Sequence, residues 1–335
     1  MNIQKIVSWF GSLLFVAIVS GCAQPVRNTP TLSPIIQTSP ITGTIDAKTA
    51  TLMLTPLATN TPIPSTPTDV PTLPAEDARQ RLLALLANNN NCRLPCFWGI
   101  TPGKSHYREA RSILLPLSGL AETVLFDLSY PGDGISLQYI EGDFRLNSSV
   151  SYLYDKDGIV SRVRFRVLEQ QLSKDKYGDT IKTPIYGLPE FIQRVEYYSL
   201  SHLLSEQGIP TSVMISTVGP NIRSYIGVIN VDLVLLYPDQ GIWAHYVTSV
   251  DEGNVGNNVK ICPIEAHIEM DLYPPGNPDS FYALLDKTDW GVTKAMYKPL
   301  NEATSMSVEE FYETFRNPTN QCIETPANIW PTPER

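Results

Sequence analysis

Residues 75–325 of this 335-residue chain predict an α+β fold. Two tandem units of helix plus antiparallel strands form a sheet with helices packed on one face, and a C-terminal helix follows. Three observations lead there. Stretches such as SRVRFRV and EAHIEMDL alternate apolar and polar residues, the period of a strand with one covered face. A helix, a glycine stop and a strand recur in the same order in both halves. A capped amphipathic pattern then closes the domain.

In chain order, EDARQRLLALLA is a short amphipathic helix that precedes the asparagine run 88–91. CRLPCFWGITPG, residues 92–103, packs two cysteines, two prolines and two glycines around Phe97 and Trp98, a winding approach anchored by large rings. Ser105 to Leu117 reads as the next helix, with Ser105 as cap, Gly119 as stop, and Tyr107, Ala110, Leu114 and Leu117 on one face. The strands ETVLFDLS, GISLQYIEG, VSYLYD and IVSRVRFRVL follow, the last two joined by the turn Asp155–Gly158.

The second half repeats the first. Ser112–Phe126 aligns without a gap on Ser201–Ile215, and LYDKDGIV (153–160) matches LYPDQGIW (236–243). Two matches in one order indicate duplication, with units at about 92–185 and 186–275. TSVMIST, YIGVINVDLVLLY, IWAHYVT and the long VKICPIEAHIEMDLY supply strands. The closing helix, about 307–316, starts at a capping box of Ser307 and Glu310 and buries Val308, Phe311, Tyr312 and Phe315. Residues 326–335 are left as a tail.

The N-terminus has a different character. Lys5 precedes the apolar run FGSLLFVAIVS, which is too short to span a bilayer and has the form of a secretory signal over residues 1–21. Val19-Ser20-Gly21-Cys22 resembles the lipobox of bacterial lipoproteins. That likeness implies lipidation of Cys22 and a membrane anchor facing outside the cytoplasm. Residues 22–74 form a Thr/Pro-rich linker whose charges are Arg27, Asp46, Lys48 and Asp69, a composition that cannot build a core. The net charge of −9 and the lack of a basic cluster argue against a nucleic-acid partner.

Export makes the remaining cysteines candidates for disulfides. Cys92, Cys96, Cys262 and Cys322 are even in number and allow three pairings, which sequence alone does not decide. Local proximity favours Cys92 with Cys96, and the even count then sets Cys262 with Cys322 as the favoured pairing. Zinc would require two lone distant cysteines to join one close pair, and the C-x-x-x-C spacing is not that of a thioredoxin-like centre.

Two polar rows are candidate sites. Glu265, His267, Glu269 and Asp271 share a strand face and have the donor types for a divalent ion, although such a row is also the ordinary wet side of a strand. Arg162, Arg164 and Arg166 share another. The repeat places Ile159 with Ile242, Ser161 with Ala244 and Val163 with Tyr246 on the helix-covered face. Trp243 and His245 then join the three arginines on the opposite one. Tryptophan beside arginine is the composition of a binding hot spot, and the alternative is that Trp243 is covered by the C-terminal helix or loops. There is no G-x-S-x-G, H-E-x-x-H or Gly-rich phosphate loop, so no catalytic residue, metal or cofactor is assigned.

CRLPCFWGITPG, the following helix and LLSEQGIP-x-x-V together resemble a group of bacterial lipoproteins. These carry a C-x-LPC-aromatic-WGI-TPG motif behind a Thr/Pro linker, and the resemblance spans most of residues 90–330. More distantly, the helix, G-x-P and antiparallel strands resemble the tandem fold of the β-lactamase inhibitor protein and BamE. That resemblance implies protein binding without catalysis. The expectation is a membrane-anchored binding module whose partner is an envelope or extracellular protein or a glycan. An assembly role in the envelope and a secreted hydrolase are the alternatives.

Overall fold

The computed structural model describes residues 71–125, 132–175, 177–185, 189–218, 228–251, 257–263, 267–286, 296–319 and 321–330. Cys22, the signal segment, the linker up to residue 70 and Glu265 lie outside them. The first half of the described region holds α1 (Ala75–Asn88), α2 (Tyr107–Leu114), β1 (Ala121–Leu125), β2 (Gly132–Glu141), β3 (Phe144–Tyr154), β4 (Val160–Lys174) and β5 (Thr180–Ile185). The second holds α3 (Pro189–Arg194), α4 (Leu200–Gln207), β6 (Ser212–Val218), β7 (Val228–Tyr237), β8 (Ile242–Asp251), β9 (Asn258–Ile261) and β10 (His267–Leu272). Then come α5 (Pro278–Leu285), β11 (Lys298–Pro299), α6 (Leu300–Ala303), α7 (Val308–Phe315) and β12 (Ile323–Pro326).

The fold is α+β. The main sheet runs β1-β2-β3-β4-β10-β8-β7-β6-β11, with β5 continuing alongside the outer half of β4. The runs β1-β2-β3-β4 and β6-β7-β8-β10 lie on either side of the sheet, and β4 and β10 meet at its centre. The two sequence matches land differently on this order. The first joins α2 and β1 to α4 and β6. The second joins the β3–β4 turn to the β7–β8 turn, which is one hairpin out of step. Both turns need a glycine at positive φ, Gly158 at 80° and Gly241 at 70°, so turn chemistry alone accounts for that likeness.

One face of the sheet carries the main core. Val163, Phe165 and Val167 of β4, Ile242, Ala244 and Tyr246 of β8, and Ile268, Met270 and Leu272 of β10 pack with α1, α2, α4 and α7. From α1 come Leu82, Leu85 and Leu86, and from α7 Phe311 and Phe315. Burial of this kind, at about 25 cal/mol per Å² of apolar surface, is the main stabilising term. The core continues past residue 325, because Trp330 is buried and its indole N–H donates to Thr325 at 3.1 Å.

Three local expectations change. The cap of α2 is His106, whose Nδ1 accepts from the Arg108 amide at 3.2 Å while Glu109 accepts from the His106 amide. Ser105 instead accepts from the Thr101 amide at 3.0 Å, tightening the approach loop. The long strand from Val259 is two strands in two sheets. β9 pairs with β12, and β10 enters the main sheet. Pro263 has no N–H to extend the first ladder, and Cys262 is bonded to Cys322. Finally, α5, absent from the sequence-based reading, packs on the sheet face away from the main core.

The approach loop, residues 92–103, is closed on itself. Cys92 is bonded to Cys96. Phe97 and Trp98 are fully buried and stack on each other with centroids 4.5 Å apart. Asn89, also buried, donates to the carbonyls of Cys92 and Cys96 and accepts from the Trp98 amide and the Tyr198 hydroxyl. One amide side chain thus satisfies four polar groups under the loop. Among the described residues no helix is long and apolar enough to cross a membrane.

Candidate functional site

The strand register assembles the outer-face residues. Across β3, β4, β10 and β8, Ser151, Arg164, Asp271 and Trp243 form one row of direct partners. Ser149, Arg166, Glu269 and His245 form the next. Direct partners project to the same side of a sheet. All five proposed face residues therefore lie together, opposite the helices of the main core.

Their environments differ. Trp243 is only 6% exposed and sits in a second core with Val234, Leu236, Tyr273 and, from α5, Phe281 and Leu285. It is a packing residue, and its cover is α5, not the C-terminal helix. This corrects the reading of Trp243 as a contact residue of an open face. Arg162 grips Asp271 through two hydrogen bonds of 2.9 and 2.7 Å. Arg164 grips the same carboxylate through two of 3.1 Å and lies 3.5 Å from Glu269. Burial opposes the charge on Arg164, but the hydrogen bonds and field of Asp271 outweigh it and raise its pKa. Arg166 is exposed and makes no ion pair among the described residues.

His245 sits between carboxylates. Its Nε2 is 3.0 Å from Asp232 Oδ1, and its Nδ1 is 3.9 Å from Glu269 Oε2. The Tyr297 hydroxyl donates to the other oxygen of Asp232 at 3.4 Å. Burial and Asp232 push the Tyr297 hydroxyl pKa up, which keeps it a donor. His267 lies beside Val247 and is held neutral, its pKa pushed down to about 3 by burial, Arg166 and His245. The chain Asp232, His245, Glu269, Arg164, Asp271, Arg162 is thus a partly buried polar floor of three carboxylates, two guanidiniums and an imidazole.

The divalent-ion idea for the β10 row meets this floor directly. Among the described residues no group of three or more His, Cys, Asp or Glu side chains is set to hold a metal ion. Glu269 and Asp271 are engaged by arginines instead.

Asp232, Ser149 and Ser151 join the site without having been singled out in the sequence. Asp232 had a signal: it interrupts the apolar run of β7, and a carboxylate there requires a partner. The unbroken LVLLY after it signals a strand covered on both faces, as β7 is. Asn277-Pro278 marks the start of α5, with Asn277 accepting from the Ser280 amide. The serines carried no signal, being set beside the arginines only by strand pairing.

Comparisons with protein-family models, with curated proteins and with solved structures return no match.

Proposed function

We propose that this chain is a lipid-anchored, extracytoplasmic binding module whose partner is a protein of the envelope or the surroundings, with the outer sheet face near β3 and β4 as its contact surface. The observation that carries the reading is the division of that face. Around β7 and β8 it is closed by α5. Around β3 and β4 the exposed Arg166 stands beside half-buried Ser149 and exposed Ser151. A sheet surface that presents an exposed arginine suits recognition, since arginine is enriched where proteins meet. His245, with its two nitrogens facing Asp232 and Glu269, is committed to the floor, which favours binding over proton-transfer chemistry. Two disulfides fit an oxidising compartment.

Cross-linking on intact cells followed by partner identification tests this. The expected result is one cross-linked protein whose yield falls with Arg166→Glu. Equal recovery with Arg166→Glu would remove β3 and β4 as the contact surface. The anchor is tested separately, because Cys22→Ala should release the protein from the membrane fraction, and its retention there would reject lipidation.

A further inference from the structure

We infer that the contact surface recognises a carboxylate, supplied by an acidic segment of a partner protein and received by Arg166 with the hydroxyls of Ser149 and Ser151. The inference rests on the binding reading above and names the chemistry of its partner. Three observations carry it.

The first is charge. On this face three arginines meet three carboxylates, Glu269 and Asp271 of β10 and Asp232 of β7. Asp232 lies against His245 and Asp271 against Arg162 and Arg164, so the carboxylates gather toward β7, β8 and β10, and Arg166 carries its positive charge on the β3 side. The second is how the pairing falls. Glu269 stands directly opposite Arg166 across the ladder, yet its oxygens lie toward Arg164 and His245. Asp271 is taken twice, by Arg162 and Arg164. The unmatched positive charge is therefore on Arg166, the most solvent-exposed of the three. The third is the surroundings. Ser149 stands directly across the β3–β4 ladder from Arg166, and Ser151 is two residues along the same face. Hydroxyls beside a guanidinium complete the donor set of a carboxylate, whose two oxygens accept from several directions.

The test uses the full chain with ¹⁵N-labelled arginine side chains. The probe is an acetylated, amidated Glu-Gly-Glu peptide, with Gln-Gly-Gln as its control. The glutamate peptide should shift one arginine Nε–H signal saturably, and Arg166→Lys should remove that signal. Arg166→Gln should weaken binding about five-fold, in line with a charge-assisted contact at a wet surface. Salt at about 1 M, where screening acts over roughly 3 Å, should weaken it as well.

No saturable shift with the glutamate peptide, or equal shifts with the glutamine peptide, would overturn the inference. Tighter binding of inorganic phosphate to the same signal would also overturn it, by replacing a carboxylate with a phosphoryl group. If the intact-cell cross-link survives Arg166→Gln while the peptide fails to bind wild type, the binding reading stands and the carboxylate assignment falls.

Discussion

Asp271 lies directly opposite Arg164 across the β4–β10 ladder, and the same carboxylate also takes both hydrogen bonds of Arg162. Asp271 is almost fully buried, whereas the arginines are partly open. A single carboxylate therefore holds two guanidiniums at the centre of the sheet, where the two halves of the chain join.

Removing that carboxylate leaves two positive charges facing each other. Asp271→Asn should lower unfolding free energy by about 3 kcal/mol, the range for breaking a buried pair from one side. Urea denaturation measures it. A loss below about 1 kcal/mol would mean that solvent screens the cluster as it does a surface pair.

Trp243 should behave as a core residue. Trp243→Ala should cost about 3 to 4 kcal/mol, and Phe281→Ala, which removes the packing of α5, a comparable amount. The double variant should cost less than the sum by about 1 kcal/mol, since both empty one small core. Additive losses would show that α5 and Trp243 are not packed together.

The two disulfides should differ in worth. The Cys262–Cys322 bond spans 60 residues and the Cys92–Cys96 bond spans 4. In the chain-entropy account, replacing the first pair with serine should cost about 4 kcal/mol and the second about 2 kcal/mol. Thiol labelling of unreduced, unfolded protein should mark none of the four cysteines, and a peptide map with a 92–262 link would reject the arrangement.

His267 should make stability depend on acid. Its pKa is near 6.5 when unfolded and about 3 in the fold, so the unfolded chain binds the extra proton between those values. Its contribution is complete above about pH 6.5 and is lost as the pH falls toward about 3. His267→Gln should flatten the decline in urea midpoint between pH 7 and pH 4. An unchanged slope would place His267 in water.

Much of the local structure is legible in the sequence because it is set by neighbouring residues. The capping box at Ser307 and Glu310, the turn at Asp155–Gly158 and the alternation of β4 and β10 each follow from side chains within a few positions. The face assignment also follows, since a period of two fixes which residues share a side. The cap of α2 was misread by one residue. Ser105 and His106 both carry an acceptor, and the choice went to His106 because Ser105 turns back to the Thr101 amide. The split of the 259–273 strand was marked by Pro263 but hidden by the apolar run around it.

The sequence by itself determined the class of fold, which residues face which side, and that four cysteines stand in the folded region. Only tertiary structure decided which parts of the outer face are wet, which cysteines meet and which arginine is left over. The reason is physical. A residue's period tells which way it points, whereas its burial depends on what distant segment arrives there. Trp243 became core because α5, some 35 positions later in the chain, folds back over it. Arg166 stayed exposed because Glu269, though opposite, is drawn toward Arg164 and His245.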